Sequence, residues 1–148
     1  MSAPELPDTV RMTCAQARTE VRAALRQVCI ELPFVQARRL HEDALLVVSE
    51  LAANAMRHGG GLNGLDVRVQ DGVLLVSVSD RSEVVPVHVP ADPARPGGFG
   101  WLMVQRLTSD VTVEVGCGGK TIVAALALPP PHGTDSSKSR TRERRSTG

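Results

Sequence analysis

The feature that most constrains this chain is a change of hydrophobic period at the glycine run 59-GGG-61. On the N-terminal side, apolar residues recur at three- and four-residue spacing, the repeat of one helix face. Ala17, Val21, Ala24, Leu25 and Val28 mark a first helix from about Cys14 to Cys29. Leu40, Ala44, Leu45, Val47, Val48, Leu51, Ala52 and Ala55 mark a second from about Phe34 to His58, whose apolar surface is wide enough to be buried on more than one side. Glycine ends it. Beyond the glycines the period is two: 65-LDVRVQ-70 alternates, Asp71-Gly72 is a strong hairpin signal, and 73-VLLVSVSD-80 is the return strand. A long proline-bearing loop, from Arg81 to Gly98, leads to a short helix at about Phe99 to Leu107. Two more strands, 111-VTVEV-115 and 120-KTIVAALAL-128, flank a glycine-rich turn. The order α-α-β-β-loop-α-β-β predicts an α+β fold: a two-layer sandwich with helices on one face of a mostly antiparallel sheet.

Length and composition narrow the class. The 148 residues, 42% hydrophobic with a net charge of +1, suit one domain with a single core. That domain is expected over residues 12–128, after an N-terminal segment 1–11; a short edge-strand candidate, 9-TVRM-12, ends that segment and reaches the first residue of the domain. Residues 129–148 are rich in Pro, Ser, Thr and Arg and read as a disordered basic tail. With two Phe, one Trp and no Tyr, the chain lacks the stacking surfaces of a single-strand binder, and Asp135 and Glu143 offset the short basic run of the tail, so no direct nucleic-acid role is expected. Cys14, Cys29 and Cys117 form no CxxC pair and read as free thiols. No secretory leader or bilayer-length apolar run is visible, which makes a cytoplasmic protein without a membrane partner the expectation.

Several residues carry chemistry. In 49-SELAANAMRHGGG-61, Glu50, Asn54 and His58 are four apart and share one helix face. An Asn oxygen suits Mg²⁺, which keeps water and phosphate ligands, and a Glu one turn earlier can deprotonate a hydroxyl. Set against this is the plain reading of a solvated face with His58 favouring the helix dipole. Asp80 ends a strand, where its carboxylate can accept from an amino group. In 97-GGFGWLMVQRL-107, glycines open a helix whose free N–H groups can face phosphate. Thr121 offers a hydroxyl early in the last strand. The 119-GKT-121 triplet is not a P-loop, because Glu114 stands where that pattern needs glycine and a strand follows the Thr.

Together, ELAANAMRH, VSVSD, the loop, GGFGWLMV and GGKT resemble the GHKL ATPase superfamily over about residues 12–128, and in compact form the anti-sigma factor serine kinases of actinobacterial type. The resemblance implies the Bergerat ATP-binding fold, with ATP and Mg²⁺ as cofactors. It makes Asn54 the Mg²⁺ ligand, Glu50 the general base and Asp80 the adenine-reading carboxylate. Gly97, Gly98 and Gly100 become phosphate-side glycines, Arg57 and His58 lie near the phosphates, and Thr121, with Lys120 beside it, assists adenine binding. The family often follows its Asp with DxGxG, whereas 80-DRSEVV-85 has Ser82 and Val84 at the glycine positions, where their side chains are expected to reshape the pocket.

The expected function is an anti-sigma-type serine kinase that phosphorylates an anti-anti-sigma partner of STAS type and otherwise sequesters a sigma factor, as a homodimer in the forms it resembles. The alternative is a nucleotide-binding regulatory module without useful turnover, acting by protein contact.

Overall fold

The computed structural model describes residues 12–86 and 99–130. All but the last residue of the edge-strand candidate at 9–12, the greater part of the proline-bearing loop and nearly all of the tail therefore lie outside the described residues. Helix α1, Cys14–Ile30, starts at a capping box: the Gln16 N–H donates to Thr13 Oγ1, and the Thr13 N–H donates to Gln16 Oε1 at 2.8 Å. Its buried residues, Ala17, Val21 and Leu25, are four apart. Pro33 precedes helix α2, Phe34–His58, which buries Leu40, Ala44, Val47, Val48, Leu51, Ala52 and Ala55. That set covers more than one stripe because α2 packs on α1, on the sheet and on a third helix. The N–H groups of Gly59 and Gly61 both donate to the Ala55 carbonyl, which closes the helix, and Gly60 and Gly61 continue at positive φ.

Strand β1, Leu62–Gln70, and strand β2, Val73–Asp80, form a hairpin. Asp71 and Gly72 both have positive φ, at 51° and 73°, as the type I′ turn between twisted strands requires. Helix α3, Phe99–Leu107, precedes strands β3, Asp110–Gly116, and β4, Gly119–Ala127. All pairings are antiparallel and the order is β1-β2-β4-β3, so the two hairpins meet along β2 and β4.

The helices cover one face of this sheet. Leu74, Val76 and Val78 of β2 and Ile122, Ala124 and Leu126 of β4 are buried with the apolar residues of α1 and α2 in one core. The architecture is the two-layer α+β sandwich expected, and each of the seven elements lies within a few residues of its sequence bounds. β1 is the largest difference: it begins at Leu62, and its register shifts between Leu62 and Gly64 before the regular alternation starts. Among the described residues, no helix is long and apolar enough to cross a membrane.

Candidate functional site

Two places in this fold hold polar groups that a packed core does not need. The first is the stripe on α2. Glu50 and Asn54 are half-buried, and Arg57 and His58 are exposed at the helix end. Glu50 faces the start of α3, where its carboxylate lies so close to Gly100 that a Cβ there would collide with Oε2. The glycine is thus needed for the carboxylate to reach the α3 backbone. An anion at the first turn of a helix is favoured by the N–H groups gathered there. Gly100 lies against Glu50, while Gly97 and Gly98 lie outside the described residues.

The second place is the end of β2. Asp80 is buried with a side-chain exposure of 5%, and Gly59 and Gly119 pack against it on two sides. A Cβ on Gly59 would come within 2.5 Å of Asp80 Cγ, and one on Gly119 would strike the Asp80 carbonyl oxygen. Close approach, rather than chain reversal alone, therefore requires glycine at both positions.

The register of β2 against β4 decides what faces this carboxylate. Asp80 is opposite Lys120, and Ser79 is opposite Thr121. Successive strand residues point to opposite faces, so Lys120 shares the helix-covered face with Asp80 and Thr121 does not. Lys120 Nζ lies 2.9 Å from Asp80 Oδ2 and 3.0 Å from Oδ1, and it donates to the Ser82 carbonyl at 3.3 Å. The Thr121 hydroxyl is instead paired with Ser79 Oγ at 2.8 Å on the other face. Of the two residues expected to assist adenine binding, Lys120 is the one that meets the Asp80 carboxylate, while Thr121 lines the same cleft through its pair with Ser79.

Ser82 and Val84 are the two positions whose side chains are expected to reshape the pocket. The Ser82 N–H donates to Asp80 Oδ1 at 2.8 Å, and the Val84 N–H donates to Ser82 Oγ at 3.1 Å, two successive side-chain turns. Neither residue has positive φ, so neither position demands glycine, and Val84 is 74% exposed. Glu83 then accepts from the Gly118 N–H at 2.8 Å, tying this segment to the β3–β4 turn.

An open cleft of about 420 Å³ runs beside the strand ends, lined by Asn63, Ser79, Asp80, Lys120, Thr121 and the β3–β4 turn. The α2 stripe does not line it. The two places are nonetheless neighbours, since Gly59 ends α2 against Asp80 and the Arg81 N–H donates to the Gly59 carbonyl at 2.9 Å.

Sequence reasoning missed Gly59 and Gly119 as packing partners of Asp80, and Glu83 as a tether. The signal for Lys120 was present: a lysine inside an apolar strand needs a partner, and a strand-terminal Asp can supply one.

These groups fit a magnesium nucleotide in part. Among the described residues no three His, Cys, Asp or Glu side chains gather to hold a metal unaided. A neutral Asn54 oxygen near a carboxylate does suit a Mg²⁺ ion that takes its remaining ligands from phosphate and water. The Asp80 carboxylate suits an amino group, but its oxygens already hold an ammonium.

Comparison with known proteins places the chain in a family. The model of the histidine kinase-like ATPase domain matches residues 8–126. No curated protein matches the sequence. Among solved structures the chain is similar to the Erythrobacter litoralis EL346 blue-light activated histidine kinase, with 23% identity and a TM-score of 0.44, over 74% of this chain and 40% of that one. It is similar also to the histidine kinase domain from that kinase, with 20% identity and a TM-score of 0.46, over 79% of this chain and 66% of that one. The chain thus spans less than two thirds of either structure. By the match over residues 8–126, it belongs to the histidine kinase-like ATPase domain family.

Proposed function

We propose that this domain binds ATP with Mg²⁺ and acts as a serine kinase of the anti-sigma type in the cytoplasm. It phosphorylates a serine on an anti-anti-sigma partner of STAS type, and in the other state of the switch it sequesters a sigma factor. The observation that carries this reading is the pairing of α2 with α3: Glu50 reaches the backbone of Gly100, and Asn54 follows one turn later on the same helix face. The nucleotide supplies the phosphoryl group. Glu50 is the base that takes the proton of the acceptor hydroxyl, Asn54 is the metal ligand, and Arg57 and His58 add positive charge at the helix end. A homodimer is the expected assembly.

Incubation with Mg-ATP and an STAS-type antagonist is expected to yield phosphoserine, and Glu50→Gln is expected to reduce labelling at least about 100-fold, the usual contribution of a positioned base. Undiminished labelling in that variant removes Glu50 from the role.

The ion pair on Asp80 favours a second reading, in which the domain binds nucleotide weakly and regulates by protein contact alone. Nucleotide-dependent partner binding without phosphoserine in the wild type would select it.

A further inference from the structure

The buried pair Asp80–Lys120 is a group that the proposed kinase chemistry does not use. Lys120 enters β4 with Ile122, Ala124 and Leu126 on the helix-covered face, and only 5% of its side chain is exposed. An ammonium has three protons to donate. Here they meet three acceptors: Asp80 Oδ1, Asp80 Oδ2 and the Ser82 carbonyl. Oδ1 also accepts from the Ser82 N–H. Gly59 and Gly119 close on Asp80 from two sides, and the pair forms part of the wall of the 420 Å³ cleft. Both oxygens of this carboxylate therefore carry a donor before any ligand arrives, Oδ1 two and Oδ2 one.

We propose that Lys120 is a latch on Asp80 that sets the affinity and base selectivity of the nucleotide site. The inference rests on the nucleotide reading given above. An exocyclic amino group on a purine and the Lys120 ammonium compete for the same two carboxylate oxygens, so a base gains its hydrogen bond at the expense of the ammonium's hold on its partner. The net gain from the amino group is therefore small in the wild type. Replacing the lysine with a short hydroxyl side chain frees the oxygens, and the amino group then gains a charge-assisted hydrogen bond. Lys120 is here a specificity-determining residue that acts through Asp80; it does not act on the phosphates.

The test is direct binding of Mg-ATP and of magnesium purine riboside triphosphate, which lacks the 6-amino group, to the wild type and to Lys120→Thr by calorimetry. The wild type is expected to bind the two nucleotides within about twofold of each other. Lys120→Thr is expected to bind ATP at least about tenfold more tightly than the wild type does, and to prefer it over the analogue by a similar factor. An ATP preference of tenfold in the wild type, or an unchanged or weaker ATP affinity in Lys120→Thr, overturns the latch while leaving the nucleotide reading intact. No binding of either nucleotide to either protein overturns the nucleotide reading, and the latch with it. Circular dichroism reports whether Lys120→Thr folds. If it does not, the wild-type comparison decides alone: equal binding supports the latch, and an ATP preference or no binding removes it.

Discussion

Cutting Lys120 back to methionine removes the charge from a buried pair while keeping most of the stem, so it isolates what the ion pair contributes to stability. The two side chains are each 5% exposed and their charged atoms approach to 2.9 and 3.0 Å. With charge centres about 4 Å apart and an effective dielectric near 20, the attraction is about 4 kcal/mol. Lys120→Met forfeits that and leaves a carboxylate whose only remaining donor among the described residues is the Ser82 N–H. Breaking one side of a buried pair costs about 3–5 kcal/mol, a large share of the roughly 5–15 kcal/mol that holds a domain together. The assay is equilibrium urea unfolding with the slope compared between variants. Lys120→Met is expected to lose about 3–5 kcal/mol, and Asp80→Leu combined with Lys120→Met to recover most of that loss, because replacing both charges leaves no buried charge unpaired. A loss below about 1 kcal/mol in Lys120→Met, with no recovery in the double variant, would show that water screens the pair and refute the reasoning.

Three further outcomes follow from the structure. Gly100→Ala puts a Cβ where Glu50 Oε2 lies, at the end of a side chain that can swing away. Stability should therefore stay within about 1 kcal/mol of the wild type, since alanine also favours the helix, while phosphotransfer falls at least about tenfold, as for a displaced reacting group; equal activity would show that Glu50 need not sit there. Burial raises the Cys29 thiol above its ordinary range, whereas Cys117 is exposed in the β3–β4 turn. Because the thiolate is the nucleophile, iodoacetamide followed by peptide mass spectrometry should label Cys117 first. Since the folded form holds the Cys29 proton more tightly, its share of stability is intact below about pH 8.5, where the unfolded thiol titrates, and is lost as pH rises through the higher folded value. A urea midpoint that climbs in that range would contradict the assignment.

Most of the secondary structure was legible in the sequence because each element carried a local signal. The three- and four-residue spacing of Ala17, Val21 and Leu25 marked α1, the change of period at Gly59 separated α2 from β1, and Asp71-Gly72 fixed the first hairpin. The site was legible only in part. Glu50, Asn54 and Asp80 stood out as residue types at a spacing, but their partners come from elements distant along the chain. That Glu50 meets Gly100 depends on how α3 docks against α2. That Lys120 rather than Thr121 faces Asp80 depends on the β2–β4 register, and adjacent strand residues differ by a whole face of the sheet. A motif names a neighbourhood; only the pairing of strands says which of two adjacent side chains enters it.

The same ion pair bears on how the sheet assembles. β1–β2 and β3–β4 each close locally across a tight turn, but β2 and β4 are distant in sequence and must find each other with no turn to set their alignment. Burial of apolar side chains usually rejects a strand that arrives one residue out of step. β4 lacks that safeguard, because Val123, Ala125 and Ala127 on its open face are nearly as apolar as Ile122, Ala124 and Leu126 on its covered one. A slipped strand would bury the wrong side almost as comfortably, except that it would turn Lys120 outward and strand Asp80 among the helices without a counterion. Lys120 and Asp80 thus act as a checksum on assembly, letting a sheet with a two-faced apolar strand recognise its own correct alignment.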